Sequence, residues 1–269
     1  MRLVHIAIAL TLIGFVVAVG VLARLNDPAK KVFAEAMHYK AITAQFQDQY
    51  GYQPGDFPRA TEIWGIAAGD SGTSDACYHK DSTELDDPKR TCDGNGNGHL
   101  FYKDNVTDKS APEWYRAWQH LANAGLMEGS FAGVAALPPR GAHVGYNIPE
   151  SKAVEGTGYT LMSFHRTDQP KWFPGHYWGV AYGRPFVNPL ELPVESRGPA
   201  ILPSMAQRID EKFDDGSPRT GIVRSFRDLT KCIKRYDGVY RYRSDRRAEF
   251  NCGLFIAFED PGFEEVKPR

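Results

Sequence analysis

The chain has 269 residues, is 42% hydrophobic and 24% charged, and carries a formal net charge of −1. That length can bury one good-sized core or two small ones. The near-zero balance lacks the concentrated basic face that phosphate neutralisation requires, so no nucleic acid is expected as a partner.

In chain order the first element is residues 3–22, LVHIAIALTLIGFVVAVGVL, broken in polarity only by His5 and Thr11. About 20 apolar residues at ~1.5 Å rise match a hydrocarbon core of ~30 Å. We expect residues 1–25 to be a retained membrane helix. The rival is a cleaved secretory signal ending near Val21-Leu22-Ala23. That run is longer than the ~7–15 residues of a signal core, and only Arg2 precedes it. Both versions send the remainder across a membrane. Arg2 on one side and Arg24, Lys30 and Lys31 on the other leave orientation unsettled by charge.

Residues 26–51 continue as the amphipathic half of the same long helix. Val32, Ala36, Tyr39, Ile42, Phe46 and Tyr50 recur at intervals of three and four, one stripe of a helix. Asn26-Asp27-Pro28 lies between the halves, where proline kinks the helix or restarts it. Gly51 is expected at the C′ position, with Pro54 barring continuation.

Residues 52–269 are expected to form an α+β head. Pro54-Gly55-Asp56 marks a turn, and residues 73–97, poor in apolar side chains, an irregular loop. A helix is predicted over 110–126, with Ser110 as N-cap, Glu113 completing a capping box and Pro112 in the first turn. Trp114, Ala117, Trp118, Leu121 and Ala122 share its predicted core face. Strands are predicted at 159–164, 177–182 and 254–258, and Asp237-Gly238 joins 233–236 to 239–242 as a two-residue hairpin. The basic run at 241–247, interrupted by Ser244 and Asp245, is expected to be a solvated hairpin face. A short helix from Met205, capped by Ser204, leads into Asp210, Asp214 and Asp215, where a turn at Gly216 is favoured over acid–base chemistry.

Cys77, Cys92, Cys232 and Cys252 show no CxxC spacing and suit an oxidising compartment. Three connectivities are possible; the local pairs Cys77–Cys92 and Cys232–Cys252 are expected, a loop of about 15 residues gaining roughly 3 kcal/mol on closure.

The stretch DGNGNGHLFYKD follows the calcium-loop pattern. Asp93, Asn95 and Asn97 place side-chain oxygens at positions one, three and five. Gly98 turns at six, His99 offers its carbonyl at seven, Leu100 is apolar at eight, and Asp104 stands at twelve. A Ca²⁺ ion held by two carboxylates and two amides would be weakly bound, on the order of 10⁻⁴–10⁻³ M. No G-x-S-x-G or H-E-x-x-H motif occurs, and His165 and His176 are expected as polar residues at a sheet rim, so no enzyme is expected.

Several of these pieces, in order, resemble the type IV prepilin-like proteins, the pilins and pseudopilins of pili and type II secretion systems. They are the apolar helix with its amphipathic continuation, QYGYQPGDFPRATEIWG, GNGNGHL, EWYRAWQHLANAGLMEGSFAG and IDEKFDDGSPRTGIV. The resemblance spans much of the chain. It implies a pilin-like fold, a long N-terminal helix packed on an antiparallel β-sheet head. It also implies a single-pass inner-membrane subunit with a periplasmic head, extracellular once assembled. Its partners would be other pilin or pseudopilin subunits through that helix, and prepilin peptidase, with methylation of the trimmed terminus. Two departures leave two readings, that Met1 is not the true start or that this is an unusual subunit, and a minor subunit is favoured. Met1 stands where the mature phenylalanine would begin, and His5 stands where the family carries a glutamate. The alternatives are a secreted or membrane-tethered periplasmic enzyme and a calcium-dependent binding module.

Overall fold

A computed structural model describes residues 27–66, 89–100, 113–134, 142–164, 177–185, 198–225, 232–243 and 252–259. The apolar run at 3–22 lies outside them, so the expected membrane helix is not described; among the described residues no helix is long and apolar enough to cross a membrane.

The first described helix, α1 (Pro28–Tyr50), begins where its sequence dictates. Asp27 is extended, at φ −62° and ψ 111°, and its carboxylate accepts the Ala29 N–H at 3.1 Å. Pro28 fills the first position, where a missing N–H costs nothing. A helix start at Pro28 is one of the two outcomes expected of the proline there, and what precedes Asp27 lies outside the described residues. Gly51, left-handed at φ 76°, ends α1 by donating its N–H to the Gln47 carbonyl, as predicted. The stripe is buried at Val32, Ala36, Tyr39, Ile42 and Phe46, while Tyr50 is half-buried.

Short α2 (Ala60–Trp64) follows, then α3 (Glu113–Asn123). Trp114, Ala117, Trp118 and Leu121 are core residues, and Ala122 is half-buried. Burial reaches beyond that face, to Glu113, Arg116, Gln119 and His120. Ser110 and Pro112 lie outside the described residues. Glu113 accepts the Asn95 N–H at 3.0 Å, a partner from another segment that a capping box does not include.

The sheet is wholly antiparallel, in the order β1 (Gly158–Phe164), β2 (Tyr177–Gly183), β6 (Leu254–Ala257), β3 (Val223–Ser225). Every residue of β6 is buried, as a central strand requires. Between β2 and β3 lies α4 (Pro203–Phe213). Its N-cap is Leu202, with no side-chain bond, and Pro203 leads the first turn; Ser204 is therefore inside the helix, a correction. β4 (Ile233–Tyr236) and β5 (Val239–Tyr242) form the predicted hairpin, with Asp237 at φ 48° and Gly238 at φ 86°. Positive φ at both central residues is what a type I′ turn demands.

One core joins these elements. Tyr39 meets Trp118 and Tyr159 edge-on at 4.9 and 5.0 Å, and Phe33 stacks on Phe213 at 4.0 Å. Glu35 fastens α1 from its outer side, accepting from Ser151 Oγ, the Lys152 N–H and Tyr159 Oη, each at 2.7 Å. Cys232–Cys252 is a disulfide, joining the start of β4 to the approach of β6. Cys92 is also disulfide-bonded; its expected partner, Cys77, lies outside the described residues.

Candidate functional site

The calcium-like loop folds between α2, α3 and the turn at Pro54-Gly55-Asp56. Asp93 directs both carboxylate oxygens at Thr61, accepting its N–H at 2.8 Å and its hydroxyl at 3.0 Å. It thereby satisfies an orphan donor in the first turn of α2, whose own N-cap, Arg59, makes no side-chain bond. The Asn95 side-chain oxygen accepts the Asn97 N–H at 2.9 Å, and that of Asn97 accepts the His99 N–H at 2.8 Å. These are two consecutive Asx turns, each acceptor bonding the backbone two residues on.

At the centre of the wrap is Asp56, 1% exposed. Its carboxylate accepts the Asn97 N–H at 3.0 Å and the Gly98 N–H at 2.7 Å, and its carbonyl accepts the Gly96 N–H at 3.0 Å. Successive N–H groups converging on one carboxylate make an anion-holding nest. Burial pushes the Asp56 carboxyl up, against the pull of the Gly98 and Asn97 N–H groups, which favour its charge. Gly94 makes the approach possible: a Cβ there would stand 2.1 Å from the Asp56 carbonyl carbon.

The polar side of α3 holds this loop in place. Arg116 donates to the Asp93 carbonyl and lies 3.8 Å from Glu113. Gln119 accepts from the Thr91 hydroxyl at 2.6 Å and donates to the Arg90 carbonyl at 3.0 Å. His120 Nδ1 accepts the Gly55 N–H at 3.0 Å, which leaves its proton on Nε2, near Thr91 Oγ1 and the Cys92 carbonyl. Burial drives its pKa down to about 3, so the ring stays neutral.

Sequence reasoning therefore finds the loop and its alternating acceptors, and the structure brings Asp93, Asn95, Asn97 and His99 onto one wrap. Asp104 lies outside the described residues. Asp56, Glu113 and His120 were missed, since a Pro-Gly turn and the inner face of a helix give no signal that their polar residues meet a distant loop.

A second cluster joins the end of α4 to the hairpin. Oxygens of Asp210, Asp214 and Asp215 lie within 4.8 Å of one another, among the described residues the one such trio of potential ligands. Each already accepts from the protein. Asp210, fully buried, takes the Gly216 N–H at 2.8 Å and the Tyr242 hydroxyl at 2.7 Å. Asp214 takes the Val223 N–H at 2.7 Å, and Asp215 the Ser217 N–H at 2.8 Å and the Thr220 hydroxyl. Burial raises the Asp210 carboxyl to about 7 despite those two bonds. The predicted turn at Gly216 is present, with φ 76°. The trio organises residues 214–223 against α4 and β5. His165 and His176 lie outside the described residues.

Comparison with known protein families, with curated proteins and with solved structures returns no match to this chain.

Proposed function

We propose that the chain is a membrane-tethered structural subunit, a minor component of a pilin-like or pseudopilin-like filament. Its head would face the periplasm or the exterior. One observation carries this reading: α1 is built into the head's core along its buried stripe, and only residues 23–26 separate its capped start from the apolar run. A greasy segment leaving the end of a helix fixed in a core suits a tether able to exchange lipid for like helices. The polar clusters support the same reading, because the carboxylates of Asp56, Asp93 and Asp210 each accept two of the protein's own N–H or O–H groups.

Alkaline washing of membranes, followed by intact mass of the extracted chain, tests the proposal. Retention in the membrane with residues 3–22 present supports it; a dissolved chain starting near Arg24 overturns it.

Calcium belongs to the proposal at the loop alone. There Asn95, Asn97 and the His99 carbonyl would share an ion with Asp93 and Asp104. The residues fit in part, since each oxygen has a second lone pair beyond the bond it accepts. Asp93 would have to share its carboxylate with Thr61. Millimolar calcium is expected to raise the melting midpoint by a few degrees, because a ligand bound only by the folded state stabilises it. An unchanged midpoint removes the ion.

A further inference from the structure

Two surface features of the head complement each other and do not meet within one molecule. The first is a groove of about 820 Å³ beside α1, floored by Tyr39, Met127 and Phe131 and edged by Glu35, Glu128 and Glu150. Its volume falls within the ~300–1,000 Å³ of ligand clefts, which combine an apolar floor with a few polar groups. Glu35 is held by Ser151, Lys152 and Tyr159; Glu128 and Glu150 are exposed.

The second is the β4–β5 hairpin. Its register sets Lys234 directly opposite Arg241 and Tyr236 opposite Val239, so these four share the outer face. Lys234 and Arg241 are exposed, and Val239 is 51% exposed, one of few large apolar side chains so presented. Among the described residues no carboxylate is ion-paired to either cation. Like charges facing each other across a ribbon are destabilising, and an acidic partner over them relieves that cost. The hairpin tip is shaped for insertion: a tight turn, one apolar residue and flanking cations. No hairpin residue lines the groove of its own molecule.

We propose that the β4–β5 hairpin of one copy inserts into the α1 groove of a second copy. Val239 and Tyr236 would cover Met127 and Phe131, and Lys234 and Arg241 would face Glu128 and Glu150. At the tip, Asp237 would meet Lys152, which also lines the groove. The two patches differ, so the contact is heterologous. Each added copy leaves one hairpin and one groove open, and the array extends instead of closing. This inference rests on the assembly reading and supplies the head's part in it.

The test uses the full chain in detergent micelles, carrying a photo-crosslinking side chain at Val239. Sedimentation reports assembly, and mass spectrometry locates the crosslinks. The contact predicts intermolecular crosslinks to residues 126–131 or 149–152. The doubly substituted Lys234→Glu/Arg241→Glu chain should lose crosslinking by roughly tenfold or more. Mixing it with a Glu128→Lys/Glu150→Lys chain should restore the yield, a rescue that a misfolded variant would not show. Assembly with crosslinks confined to other surfaces, or to anionic lipid when vesicles replace micelles, overturns this contact and leaves the assembly reading standing. A chain that remains single at every concentration overturns both.

Discussion

Asp56 shows how a single side chain can organise a loop that looks built for a metal. Its carboxylate satisfies the N–H groups of Asn97 and Gly98, and its carbonyl that of Gly96, so three consecutive donors are turned inward. Replacing it with alanine leaves part-buried donors without an acceptor, and a hydrogen bond to a charged group is worth about 1.5–3 kcal/mol. Asp56→Ala should therefore lose about 3 kcal/mol in urea denaturation; a change below about 0.5 kcal/mol would remove Asp56 from this role. Asp210 makes a pH-dependent prediction. Its carboxyl is raised by burial from an ordinary 3.8 to about 7. The folded state thus holds the proton more tightly than the unfolded one, and this contribution is complete below about pH 3.8. It is lost as pH rises through about 7. His120 runs the opposite way: with its pKa lowered to about 3, its contribution is present above pH 6.5 and lost as pH falls towards 3. Asp210→Asn should shrink the decline between pH 4 and 7, to which Asp56 and Asp214, also raised by burial, contribute in the same direction, while leaving the acid limb due to His120. Denaturation midpoints across pH 3–8 that run parallel in parent and variant would contradict this.

At the scale of elements, α1 is anchored in the core at Phe46, which is fully buried and close to Phe57, Trp64 and His120 at 6.2, 6.4 and 6.2 Å between ring centroids. Phe46→Ala should cost about 3–5 kcal/mol, read as a shift in the denaturation midpoint. An effect near zero would mean that α1 is an appendage and not a wall of the core. This helix was legible in the sequence because its signals are local: a stripe of period three to four, Asp27-Pro28 at one end and Gly51 at the other. The Asp237-Gly238 hairpin and the strands around residues 158–164 and 177–183 were legible for the same reason. Tertiary choices were not. Asp93 caps α2 instead of standing free, and Glu113 turns to Asn95, because those partners are set by packing between distant segments. Ser204 had the chemistry of a cap, but Pro203 fits the first helical position and so moved the boundary back to Leu202.

For the whole molecule, the proposed function divides labour between a tether and a head. The head is closed by one core in which α1, α3, α4 and the four-stranded sheet each contribute buried side chains. The Cys232–Cys252 disulfide fastens the hairpin to that sheet. Asp27 adds exposed ion pairs at 2.8 Å to Arg208 and 3.3 Å to Lys212, which hold the start of α1 against α4 with little net energy. The buried stripe of α1 begins at Ala29, within the described residues, and the proposed function leaves the apolar run at 3–22 to lipid and to sister helices. The most direct measurement is therefore a comparison of the full chain with residues 27–269 alone, in the same detergent, by thermal melting and membrane flotation. Matching midpoints are expected for the two, with membrane association confined to the full chain. A truncated chain that fails to fold, or that still floats with membranes, would contradict this division.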